Sequence, residues 1–233
     1  MLLNNWCQNL IRKDYRRSID ELVVRYRREP LIRDIYVEGK RDFDFVLKKE
    51  CSSKLLLFTD YSCVEMYLFN KKTLNKYLKM NLGGFPHSSD HILIQLSNIL
   101  PNLFLVRLVN EILGLRMTWI NLRKCCSLGK NELFFNTEEF IKRYLNSNGN
   151  YSQIENFLEE MEKYRKNLTY DPRKQIHRND FFELLSYYIH KFGRTPLKLC
   201  DPEIISGNLF GCIEKDQIQE ENLFKTLNKW ASN

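Results

Sequence analysis

Residues 92–115 limit the possible folds more than any other part of the chain. This is the most apolar segment, yet Gln95, Asn98, Pro101, Asn102, Arg107, Asn110 and Glu111 interrupt it. No apolar run therefore approaches the roughly 20 residues of a spanning helix. A segment this apolar and this interrupted predicts a buried amphipathic helix around which other helices pack. Helical spacing begins earlier, with Met66, Leu68, Leu74 and Leu78, and resumes at Ile92, Leu96 and Ile99; Gly83, Gly84 and Pro86 separate the two runs. With 233 residues, 43% of them hydrophobic and 28% charged, the chain can bury one core with an attached helical layer. The opening M-L-L-N-N-W has no signal-peptide pattern, so the expected location is cytoplasmic, with no membrane partner.

Cysteine usage fits a reducing compartment. Cys7, Cys51, Cys63, Cys125, Cys126, Cys200 and Cys212 form no C-x-x-C pair and no even framework, which predicts buried thiols. His87 and His91 stand four apart in H-S-S-D-H, but the sequence offers no further ligands for zinc. Ser88 or Ser89 as the cap of the following helix accounts better for that segment.

The first third of the chain reads differently from the rest. A basic helix over residues 15–29 stops at Pro30, a strand follows near Ile35, a helix covers 43–49 and a strand covers 55–59. That alternation implies parallel pairing through a right-handed crossover. Further on, Leu133, Phe134 and Phe135 predict a short third strand, Thr137 a cap for a helix over 138–145, and 146–150 a polar loop. Residues 151–192 read as two helices split at Asp171-Pro172-Arg173-Lys174; the second begins at Asn179 or Asp180 and ends at Gly193. A last helix is expected over 219–230. No repeat or linker divides the chain, which predicts one domain over 1–233: a basic helix in 1–33, an α/β portion in 34–80 and a mostly helical portion in 81–233.

Candidate chemistry is concentrated in residues 34–44, D-I-Y-V-E-G-K-R-D-F-D. Ile35, Tyr36 and Val37 carry Glu38 to a strand end, and Gly39 lets the backbone turn there. Asp42 and Asp44 follow within one helical turn beside Lys40 and Arg41. Hard oxygen ligands so crowded suit Mg²⁺. A surface strand ending in a mixed-charge turn, with Asp42 capping the next helix, explains the same composition without chemistry.

Three segments together carry a family resemblance. The V-E-G-K-R-D of 37–42, the T-D-Y-S-C-V-E-M-Y-L of 59–68 and the I-H-R-N-D-F-F-E-L-L of 176–185 resemble, in order, motifs of a TOPRIM-like family. That family is related to the nuclease half of OLD proteins and includes the AriB effector of the PARIS anti-phage system. The resemblance spans roughly residues 35–189. It implies a small parallel TOPRIM-like sheet with a large helical extension and a Mg²⁺-dependent nuclease acting on RNA such as tRNA, or on DNA. It also implies an ABC-type ATPase partner (AriA-like) that holds the effector until a phage trigger releases it. In that reading Glu38 and Lys40 are catalytic; Glu38, Asp42, Asp60 and Glu65 hold or position the metal; and His177 lies near a phosphate.

One departure bears on the chemistry. A TOPRIM site pairs the strand-end glutamate with a D-x-D from a later strand, and no D-x-D stands between Glu50 and Leu57. In the third segment Arg-Asn replaces the family's Gly-His. A shortened sheet also exposes an edge, which a homo-oligomer or a larger partner would cover. The alternative is therefore a non-catalytic TOPRIM-like module that binds nucleic acid or a protein partner. Glu38, Asp60 and Glu65 converging on one ion would favour the enzyme; Glu65 turned into a helix bundle or paired with a lysine would favour the binding module.

The net charge of +7 is unevenly spread. Residues 1–33 hold eight cations against four carboxylates, and seven of the eight are arginines, which suit bidentate phosphate contacts. Arg12, Arg16, Arg17, Arg25 and Arg28 are the candidate nucleic-acid contacts; a solvated helix face accounts for them equally well.

Overall fold

The computed structural model describes residues 36–37, 43–48 and 56–231. The chain divides into two compact units, residues 1–38 with 52–57 and residues 39–51 with 58–233. In the first, β1 (Tyr36–Val37) and β2 (Leu56–Leu57) pair in parallel, Tyr36 opposite Leu56 and Val37 opposite Leu57. The expected parallel pairing is present. β2 ends at Leu57, two residues before its predicted end, and a wider parallel sheet is absent among the described residues.

The second unit is mostly helical. A single turn, α1 (Asp44–Leu47), ends where Lys48 turns left-handed (φ 54°). Next, α2 (Lys71–Leu82) starts at Asn70, whose side chain accepts from the Thr73 N–H, and stops at Gly83, which supplies the positive φ of 66°. As expected, Ser88 caps the long helix α3 (Ser89–Ile112), accepting from the His91 N–H at 3.2 Å.

Among the described residues, α3 is the one helix long and apolar enough, by length and composition, to cross a membrane. The sequence reading broke this run at its polar residues and so understated its continuity. Packing explains why the helix persists through them. Arg107 is paired inside the protein, the Gln95 side chain accepts from the Leu133 N–H at 3.0 Å, and Asn110 accepts from the Met117 N–H at 3.0 Å. On its inner side Ile92, Leu96, Leu100, Leu103 and Leu108 are fully buried, while Ile94 and Ile112 are exposed.

Four helices surround α3. They are α2, α4 (Thr137–Ser147), α5 (Ile154–Arg165) and α6 (Arg178–Gly193). A further helix, α7 (Pro202–Cys212), packs across α2 and α6, and α8 (Lys215–Ile218) and α9 (Asn222–Ala231) follow. The predicted strand at Leu133–Phe135 forms as β4, and its partner is an antiparallel neighbour, β3 (Cys126–Leu128), with Leu128 opposite Leu133.

Several boundaries move. The α4 cap is Asn136 rather than Thr137, because its side chain accepts from the Glu139 N–H at 3.0 Å; the helix also runs two residues into the expected loop. The last predicted helix starts three residues later than expected, as α9, and the short α8 before it was not predicted. Cys63, Cys125, Cys200 and Cys212 are buried free thiols, and Cys126 is a half-buried one.

Candidate carboxylate site

Of the residues singled out by sequence, Glu38, Lys40 and Asp42 lie outside the described residues, as do Arg12, Arg16, Arg17, Arg25 and Arg28. Asp60, Glu65 and His177 are described. The first two belong to residues 58–68, where the family motif implies a strand end running into a helix. Here the chain leaves β2, bends, and forms a 3₁₀ turn, Val64–Leu68. Its bend is fixed by its own polar groups: the Thr59 hydroxyl donates to the Tyr61 carbonyl at 2.7 Å.

Asp60 is used twice within the protein. The Tyr67 hydroxyl donates to Asp60 Oδ2 at 2.7 Å and accepts from the Asp60 N–H at 3.1 Å. The same Oδ2 accepts from the Leu223 N–H at 3.1 Å, so Asp60 satisfies an amide in the first turn of α9. Negative charge at a helix N-terminus also meets the positive end of the helix dipole. Burial pushes the Tyr67 hydroxyl pKa up, and Asp60 adds to that rise through its side-chain hydrogen bond and its charge.

Glu65 is the more deeply committed carboxylate. It is 3% exposed, and Arg178 Nε lies 3.2 Å from its Oε1. Arg178 also reaches Glu203 at 3.1 Å, so one guanidinium at the start of α6 joins the 3₁₀ turn to α7. A buried carboxylate needs this compensation, because an uncompensated charge is strongly disfavoured in a low-dielectric interior. The preceding residue, His177, is the N-cap of α6: its Nδ1 accepts from the Asn179 N–H at 3.3 Å. It serves as a helix-start histidine.

Sequence reasoning missed the residues that hold this segment in place. The Tyr61 hydroxyl donates to the Glu221 carboxylate at 2.6 and 2.7 Å, and Arg173 stacks over the Tyr61 ring at 4.0 Å. Arg173 pairs with Asp171 at 2.8 Å and with Glu221 at 3.5 Å. Burial first, then the bond to Glu221, pushes the Tyr61 pKa well up. Ser62 completes the lacing: its hydroxyl contacts the Ile176 carbonyl at 2.6 Å, and its N–H donates to the Arg173 carbonyl at 3.1 Å. The D-P-R-K break was visible in sequence as a helix stop, but nothing local marks it as the partner of a segment more than 100 residues earlier.

These contacts limit what Asp60 and Glu65 can offer a metal. Mg²⁺ needs near-octahedral oxygen ligands with available lone pairs. Asp60 Oδ2 already accepts from a hydroxyl and an amide, and Glu65 Oε1 faces the Arg178 guanidinium. Among the described residues no group of three or more His, Cys, Asp or Glu side chains could hold a metal ion. His87 and His91 stack at 4.9 Å between ring centroids and bond elsewhere, His87 to the Tyr188 hydroxyl at 2.6 Å and His91 to the Asn131 carbonyl at 2.8 Å. Burial and the neighbouring His91 hold the His87 pKa below its ordinary value. No protein-family model, curated protein or solved structure matches the chain.

Proposed function

We propose that this protein is a TOPRIM-like nucleic-acid-binding module of the anti-phage effector type, in which Asp60 and Glu65 hold the fold together instead of holding Mg²⁺. One observation carries the reading: the Glu65 carboxylate, 3% exposed, is neutralised by Arg178 at 3.2 Å. The missing D-x-D agrees with it. Binding rests on the arginines of residues 1–33, and its affinity falls steeply with added salt as phosphate contacts release counterions. An ABC-type ATPase that restrains the module until a trigger arrives belongs to the same proposal, as does a homo-oligomer covering the sheet edge.

A second reading is favoured by the β1–β2 pair. Val37, which directly precedes Glu38 in the sequence, lies in β1 in parallel register with Leu57. In that reading Glu38 with Asp42 holds Mg²⁺, Lys40 offsets phosphate charge, and the protein cleaves tRNA or another nucleic acid. Mg²⁺-dependent cleavage of total tRNA and plasmid DNA by the wild-type protein beside Glu38→Ala separates the two. RNA binding without cleavage by either protein supports the binding module. Cleavage by the wild type that Glu38→Ala abolishes overturns it in favour of the nuclease.

A further inference from the structure

One surface pocket takes no part in the carboxylate network. Ile120, Asn121, Lys124, Arg143 and Ser147 line a cavity of about 380 Å³. Both of its walls are pinned. Arg143 and Ser147 stand four residues apart on α4 and so share a face of that helix. The opposite wall is strapped to the same helix: the Tyr144 hydroxyl donates to the Met117 carbonyl at 3.3 Å, and the Asn148 side chain bridges Thr118, accepting from its N–H at 2.8 Å and donating to its carbonyl at 3.1 Å. Asn121 then caps the 3₁₀ turn Leu122–Cys125, accepting from the Arg123 N–H at 2.9 Å, and its carboxamide NH₂ is left for a ligand.

Charge in this pocket is one-sided. Arg143 Nε is taken by Glu139 at 2.6 Å, which leaves the terminal guanidinium nitrogens as donors. Among the described residues no carboxylate pairs with Lys124. The surrounding residues 116–147 hold six cations (Arg116, Arg123, Lys124, Lys130, Lys142, Arg143) against three carboxylates (Glu132, Glu138, Glu139). Two cations beside an amide and a hydroxyl suit a tetrahedral oxyanion, and the volume falls within the range of small-ligand pockets.

We propose that this pocket binds a phosphoryl group carried by a nucleotide or by a nucleic-acid strand. Lys124 and Arg143 supply the charge, Asn121 and Ser147 bond the remaining oxygens, and Ile120 gives the carrier an apolar contact. The site uses none of the residues of the proposed function and stands or falls separately from it.

Isothermal titration of the full chain with inorganic phosphate, with adenosine monophosphate and with a short single-stranded RNA tests this. Lys124→Gln and Arg143→Gln are each expected to weaken phosphate binding about tenfold, the effect of losing one hydrogen bond to a charged group. Lys142→Gln, which does not line the pocket, keeps wild-type binding, and thermal unfolding of all three variants matches wild type. The same loss with adenosine monophosphate identifies a nucleotide ligand; loss with RNA alone identifies a strand. Absence of phosphate binding in the wild type, an equal loss in Lys142→Gln, or phosphate binding without either carrier overturns the proposal.

Discussion

Helix α3 and residues 58–68 are both buried, by opposite means. Around α3 the interior is hydrocarbon: Leu100, Leu103, Leu105, Val106, Leu108 and Val109 are at 0% exposure, and the adjacent buried charge, Asp180, is matched by a two-pronged Arg107 with both contacts at 2.7 Å. In residues 58–68, Thr59, Ser62 and Glu65 are buried polar groups, Thr59 bonded to Tyr61 within the segment and Ser62 and Glu65 held by individual partners elsewhere in the chain. Apolar burial is non-directional and tolerates shape-conserving change. A polar latch is directional, and losing one partner leaves the other unsatisfied in a dry site. Volume changes should therefore damage the first region most, while atom-for-atom changes and acid should reveal the second.

The largest effects test the apolar side. Phe104→Ala removes a ring that is 1% exposed and edge-on to Phe43 at 5.2 Å, and should cost about 3–5 kcal/mol in urea unfolding. A cost below about 1 kcal/mol would mean that α3 is not the packing centre. Arg107→Ala strands the Asp180 carboxylate and should cost a similar amount, about 3–5 kcal/mol. Adding Asp180→Ala should restore part of that stability, and the cycle of four proteins measures the coupling.

Smaller effects sharpen the polar side. Ser62→Ala should cost about 1–3 kcal/mol by orphaning the buried Ile176 carbonyl, and Tyr61→Phe about 0.5–1.5 kcal/mol by removing the hydroxyl from Glu221. Both are read from the chemical denaturation midpoint. Acid supplies the finest distinction. Burial alone would raise the Asp171 pKa, but the Arg173 side-chain and backbone hydrogen bonds, with the Arg173 charge, outweigh it and hold the pKa below its ordinary value. A depressed carboxylate pKa gives stability that is present above the unfolded-state value and lost as pH falls through the folded-state value. Hydrogen exchange at the Ser62 amide, which donates to the Arg173 carbonyl, should therefore accelerate below the ordinary carboxylate range, and Arg173→Gln should remove that dependence. Equal acceleration across the α3 amides would erase the contrast between the regions.

Local patterns were legible in the sequence and remote partnerships were not. Ser88, the stripe of Ile154, Phe157, Leu158 and Met161, and the inward face of Phe181, Leu184, Leu185, Tyr188 and Ile189 announce their helices through spacing alone; all of these apolar residues are buried except Leu158, which is exposed, and Ile154, which is half-buried. Helix α7 was not predicted. The Asp201-Pro202 pair was the available signal: Asp201 accepts from the Glu203 N–H at 2.9 Å and from the Ile204 N–H at 3.2 Å, and Pro202 occupies the first turn. Asp60 and Glu65 were picked out as notable acids, but a motif gives no means of telling a metal ligand from a carboxylate that meets Leu223 or Arg178. That distinction belongs to tertiary contact.

The span of these latches has a consequence during synthesis. Tyr61 and its partner Glu221 are 160 residues apart, and Asp60 and Leu223 are 163 apart. At roughly 5–20 residues per second on the ribosome, Asp60 and Tyr61 emerge on the order of ten seconds or more before the groups that satisfy them. For that interval the Asp60 carboxylate has no Leu223 amide and the Tyr61 hydroxyl no Glu221 to bond, and solvent takes their place.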